Sequence, residues 1–161
     1  MRPTVFLEGF FLRLAAASVR EGDELALPLG SGRTSPISAV DVARAVSVIL
    51  DDPVPHIGRV YNLIGFELAD LEYYACVFSE ALGRTIRYRN VPLSEWTDRL
   101  REAGVPMHLV NHLAVMAELH AQGRYDRMTD DLFKLTGKTP TSLHDFVKLH
   151  AAEFTRREAT A

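Results

Sequence analysis

Apolar positions keep a helical period most clearly over residues 40–50, where Val42, Ala45, Val46, Ile49 and Leu50 recur three and four apart. Ser38 and Asp41 stand three apart just ahead of that run, which is the spacing of a helix capping box. Asp51-Asp52-Pro53 closes it, because proline cannot continue a helix and restrains the residue before it. Upstream, Gly30-Ser31-Gly32 reads as a turn and Ile37 as a very short strand that enters the helix at once. The stripe predicts a core helix that the rest of the chain is expected to cover.

The remaining pattern alternates strands with helices. Residues 1–6 are short and extended, like the last residues of a strand. Residues 6–20 predict a helix with Leu7, Phe10, Phe11, Leu14 and Ala15 on one face, ended by Glu21-Gly22-Asp23 with Gly22 free to take the left-handed C-cap. A brief strand follows over 25–29, where Pro28 favours an edge or an end. Residues 59–64 are β-branched and aromatic and read as a strand closed by Gly65. Asp70 is a candidate N-cap for a helix to about Leu82, with Leu71, Tyr74, Ala75, Phe78 and Leu82 inward. Residues 85–91 alternate as a strand, and 94–103 form a short helix carrying Trp96 and Leu100.

From Gly104 onward the chain reads as almost wholly helical. Pro106 suits the first position of a helix lined by Leu109, Leu113, Met116 and Ala117 as far as Gln122-Gly123. Thr129 is expected to cap a short turn with Asp130 and Asp131 in it. Ser142 and Asp145 repeat the capping-box spacing before a last helix with Leu143, Phe146, Val147, His150 and Phe154 on one face. The expected architecture is α/β and helix-rich, one domain over 1–155 with a frayed tail at 156–161. Its small sheet is drawn from residues near 25–29, 37, 59–64 and 85–91.

Composition narrows the class. The 161 residues are 47% hydrophobic and 24% charged, the balance of a soluble globular protein long enough to bury a core. A net charge of −3 argues against a nucleic-acid or anionic-membrane partner. No apolar run approaches the roughly 20 residues that cross a bilayer, and the start lacks the pattern of a signal peptide. Cys76 is the sole cysteine, so no internal disulfide forms, and a cytoplasmic protein is expected.

Several segments, in order, resemble the C-terminal half of the NmrA-like family of atypical short-chain dehydrogenases. Arg2-Pro3 with Phe6-Leu7-Glu8-Gly9-Phe10 is similar to the family's Arg-Pro, Phe, small-residue pattern. Ile37 with Asp41-Val42-Ala43 resembles its strand followed by an Asp-Val-Ala helix, and Tyr61-Asn62-Leu63-Ile64-Gly65 its Tyr-x-Leu-Thr-Gly strand. Gly83-Arg84 with the strand after it, and Leu135-Thr136-Gly137-Lys138-Thr139-Pro140, match two later motifs. The likeness spans residues 2 to about 150. Ile64 replaces the usual threonine, Tyr73 stands where a capping glutamate is expected, and Gly9-Phe10 replaces a residue-Asn pair. The family's Gly-x-x-Gly-x-x-Gly turn, which lets backbone approach a pyrophosphate, is absent from this sequence, as is any assignable catalytic Tyr or Lys.

The resemblance implies a substrate-binding, cap half of an NAD(P)-dependent oxidoreductase or redox sensor, without turnover alone. No cofactor is expected to bind this chain by itself; NAD(P) is implied where a glycine-rich half is supplied. In the resembled fold the loop after Arg-Pro lies near the nicotinamide, which makes Pro3, Thr4 and Phe6 the nearest residues to a cofactor, against a plain structural role. Trp96, Met107 and Met116 are the candidates for an apolar substrate pocket, with ordinary core as the other reading. The alternative function is a non-catalytic interaction module, and a homodimer or a partner chain is expected.

Other chemistry is weaker. His108 and His112 lie four apart on a helix, but the HExxH pattern and a third ligand are missing, so surface or interface histidines are the reading, and His56, His120, His144 and His150 are treated alike. Cys76, between Ala75 and Val77, reads as a buried inert thiol. The pairs Asp51-Asp52 and Asp130-Asp131 read as a helix end and a helix start rather than acid–base pairs.

Overall fold

The computed structural model describes residues 1–156. The expected tail, apart from Arg156, whose guanidinium donates to the Arg20 carbonyl, lies outside them. The fold is α/β and helix-rich, with little sheet. Its strands are β1 (Arg2–Pro3), β2 (Glu24–Leu27), β3 (Asn62–Leu63) and β4 (Arg87–Asn90). A π-helix (Glu8–Arg13) precedes α1 (Ala16–Gly22), α2 (Ala39–Asp51), α3 (Leu71–Leu82), α4 (Leu93–Glu102) and α5 (Met107–Ala121). Three short helices finish it: α6 (Asp131–Thr136), α7 (Leu143–Leu149) and α8 (Ala151–Phe154).

The single small sheet is corrected to two parallel pairs, β1 with β3 and β2 with β4. Ile37 adds a parallel bridge to Phe6, its N–H donating to Val5 and its carbonyl accepting from Leu7. The strand expected over 59–64 shrinks to Asn62–Leu63, beside which the Tyr61 carbonyl accepts from Arg2 at 2.8 Å and the Leu63 carbonyl from Thr4 at 3.0 Å.

The helix expected over 6–20 is broken. After the π-helix the backbone turns at Leu14 and Ala15, and Asp23, not Gly22, takes the left-handed C-cap at φ 57°. Leu7, Phe10, Phe11 and Ala15 are nevertheless buried, as the apolar face predicts. The last helix is likewise interrupted at His150. Asp70 caps α3 as expected, accepting from the Tyr73 N–H at 2.9 Å, and Gly83 closes it at φ 66°.

The main core does not form around α2. It gathers the π-helix, α1, β2, α3, α7 and α8, with Phe11 edge-on to Tyr74 and Phe78 edge-on to Phe154. α2 contributes Ala45 and part of Val42 to a smaller cluster with Ile37, Leu63 and Leu132, while Leu50 stays 71% exposed. The expectation that the chain is built to cover the α2 stripe is therefore corrected.

Candidate functional site

A cavity of about 360 Å³ opens between the N-terminal segment and the helical second half. The size is that of a site for a small organic ligand. Phe6, Phe10 and Leu14 wall one side, Leu27 and Leu29 from the end of β2 form another, and Trp96 of α4 with Leu113 and Met116 of α5 close it. The walls are apolar because each contributing element turns its apolar positions inward at its own period, the π-helix from one side and α5 from the other. Among the described residues, Arg13, exposed, is the one formally charged side chain lining it, and His120 is the other polar one.

Of the residues singled out in the sequence, Phe6, Trp96 and Met116 come together on this cavity. Met107 stands apart, 55% exposed at the start of α5. Thr4 is buried and its N–H donates to the Leu63 carbonyl at 3.0 Å, while Pro3 is exposed in β1. His108 and His112 are exposed, and no metal-holding group of His, Cys, Asp or Glu occurs among the described residues.

His120 is the residue that sequence reasoning missed. It is 2% exposed, not a surface histidine, and it lines the cavity. Its ring stacks on Tyr125 with centroids 3.8 Å apart and 7° between planes, and more loosely on Phe10. Nδ1 lies 2.7 Å from the Met116 carbonyl, so Nδ1 carries the proton and donates. Burial holds the ring's pKa below its usual value. Nε2 is then a bare acceptor, and it has no partner among the described residues. The available signal was its place, four residues after Met116 on the face shared with Leu113 and Ala117.

Two further expectations are overturned nearby. Cys76 is exposed on α3, because the helix turns its neighbours Ala75 and Val77 inward instead. Thr129 does not cap α6: its hydroxyl donates to the Asn62 carbonyl at 2.6 Å, and Asp131 accepts from the Asn62 N–H at 2.7 Å. The outer edge of β3 is thus closed at Asn62 by the chain's own side chains.

The Gly30-Ser31-Gly32 turn serves packing. A Cβ at Gly32 would sit 2.0 Å from the His120 carbonyl oxygen, so the glycine lets the end of α5 close onto the turn. That backbone-to-backbone contact leaves no cradle for a pyrophosphate at this turn.

No family model matches the chain. It is 28% identical over 155 residues to the uncharacterized oxidoreductase YesF of Bacillus subtilis, covering 96% of this chain and 54% of that protein. To the NAD(P)H azoreductase of Xenophilus azovorans it is 31% identical over 152 residues, covering 91% and 52%. A solved nucleoside-diphosphate-sugar epimerase from Staphylococcus aureus superposes with a TM-score of 0.80 at 28% identity, over 91% of this chain and 50% of that one. The chain therefore spans about half the length of these two curated relatives, whose names make both oxidoreductases and the second NAD(P)H-dependent.

Proposed function

We propose that this chain is the substrate-binding cap portion of an NmrA-like NAD(P)-dependent oxidoreductase or redox sensor, without turnover alone. The observation that carries the reading is the cavity itself. It is apolar and open on one side, and it joins Phe6, on the segment that the resemblance sets near the nicotinamide, to Trp96 and Met116 of the helical half. The similarity to an NAD(P)H azoreductase supports the redox class. This chain's part is to bind an apolar substrate; the pyrophosphate site belongs to a glycine-rich half, since the Gly30-Ser31-Gly32 turn is taken up by packing against His120. Pro3, Thr4 and Phe6 remain the cofactor-proximal residues of the proposal, and Trp96 and Met116 its substrate side, while Met107, expected there too, lies off the cavity.

Trp96 is the sole tryptophan, so its fluorescence reports on the cavity without labelling. NADPH titrated into this chain alone should leave that signal and the calorimetric baseline unchanged. Adding a separately expressed Gly-x-x-Gly-x-x-Gly half should produce saturable binding. Micromolar affinity for the chain alone would overturn the division of labour.

A second reading, a non-catalytic interaction module, draws on a different surface. Leu50, Val54, Ile57 and Val60 are each more than half exposed within one short stretch. Apolar side chains so close together in sequence suit contact with another chain better than solvent.

A further inference from the structure

We infer that the cavity selects aromatic ligands carrying a hydrogen-bond donor, such as a phenolic O–H or an aromatic N–H, and that the Nε2 of His120 is the group that reads it. This deepens the proposed substrate site and rests on that reading. The Met116 carbonyl fixes the tautomer from the other side of the ring, because a carbonyl only accepts and Nδ1 must therefore donate. Stacking on Tyr125 and Phe10 fixes the ring plane. What remains is one lone pair, shut away from solvent on a cavity-lining residue and met by no protein donor among the described residues. A buried acceptor left unmet is unfavourable, so a ligand that brings a donor gains what an ether or hydrocarbon of the same shape does not. The other lining groups add little polar choice: Phe6, Phe10, Trp96, Leu113 and Met116 offer apolar and π surface. Met116, unbranched and adaptable, lines the same cavity, with its sulfur accepting from the Tyr125 hydroxyl at 2.8 Å.

The test compares 2-naphthol with 2-methoxynaphthalene, which share a ring system and differ in the donor. Quenching of Trp96 and calorimetry should show 2-naphthol binding the full chain about tenfold more tightly, the effect of one neutral hydrogen bond. In His120→Phe, which keeps an aromatic ring between its neighbours, the two affinities should converge through loss of the naphthol advantage. Should that variant not fold, nitrogen NMR of the unsubstituted chain decides. The Nε2 resonance should be of the unprotonated type and move upfield with 2-naphthol but not with the ether. Equal binding of the two probes, or an unmoved Nε2 resonance at saturation, overturns the inference and leaves the apolar cavity standing. Binding of neither probe overturns both.

Discussion

Asp41 reaches across 100 residues of chain to Thr141: its Oδ2 accepts the Thr141 N–H at 2.7 Å, and its Oδ1 accepts from Arg44 at 2.8 Å. The carboxylate is fully buried, whereas the Arg44 side chain is about one-third exposed and can still be met by water. Asp41→Ala strands the Thr141 N–H and leaves the Arg44 guanidinium unpaired. Hydrogen bonds to charged groups contribute about 1.5–3 kcal/mol, and a loss near the upper end is expected in urea unfolding. An unchanged midpoint would mean that the link between α2 and the loop before α7 carries no stability.

Gly32 gives a sharper geometric prediction. Since a Cβ there meets the His120 carbonyl at 2.0 Å, and the obstacle is backbone, Gly32→Ala must push the end of α5 away from the turn. Overpacking of this kind costs about 1–3 kcal/mol. Because the displaced residue lines the cavity, the emission of Trp96 and the binding of aromatic probes should change together with the melting temperature. A variant that melts lower with cavity binding intact would show that the shift is absorbed elsewhere.

The contrast between Ser38 and Asp41 explains what the sequence conveyed. Local signals were readable: Asp70 and Gly83 bound α3, and Ser142 accepts from the Asp145 N–H, as their spacings require. The Ser38–Asp41 spacing looked the same, yet Glu8, from the π-helix, supplies the carboxylate that meets Ser38 and the Ala39 N–H, at 3.0 Å for the latter. Asp41 is thereby released to Thr141. A partner 30 or 100 residues away leaves no periodic trace, and the same holds for Thr129 and Asp131 closing on Asn62. For the site, Trp96 and Met116 were legible as large apolar residues of the helical half, and Phe6 only through the resemblance, as a residue near a cofactor. His120 was not, because a lone histidine on a helix looks identical whether its ring faces solvent or Tyr125.

The burial of His120 carries a pH signature. Its folded pKa lies below the ordinary value of 6.5, chiefly through desolvation, so the unfolded chain binds the proton more readily. Stability from this residue is then fully present above the unfolded pKa and is lost as pH falls through that value toward the folded one. Urea midpoints measured from about pH 8 down to about pH 5 should fall for the unsubstituted chain. In His120→Phe that part of the decline should be missing. Carboxylates held low by local donors, such as Asp145 beside Ser142, also lose their contribution as pH falls, but only from about the ordinary 3.8 downward, and leave this window clear.

Assembly is the remaining expectation. The strand expected over 59–64 offers no free edge at Asn62, because Thr129 and Asp131 hold both of its backbone polar groups. A short stretch of exposed apolar residues lies instead beside the end of α2, where Leu50 is 71%, Val54 72% and Ile57 78% exposed. Burying apolar surface contributes about 25 cal/mol per Å², and a stable interface covers about 800 Å² on each partner. These side chains alone supply part of that area, so the proposed contact must extend onto neighbouring surface. A self-complementary pair of such patches about a two-fold axis is the simplest arrangement. Light scattering should report about twice the 18.0 kDa chain mass at micromolar concentration. Ile57→Lys, changing an exposed position with no internal packing to disturb, should return the protein to a monomer with an unaltered melting curve at low concentration. A chain already monomeric without the substitution would sink the dimer and leave the cavity as the surface to explain.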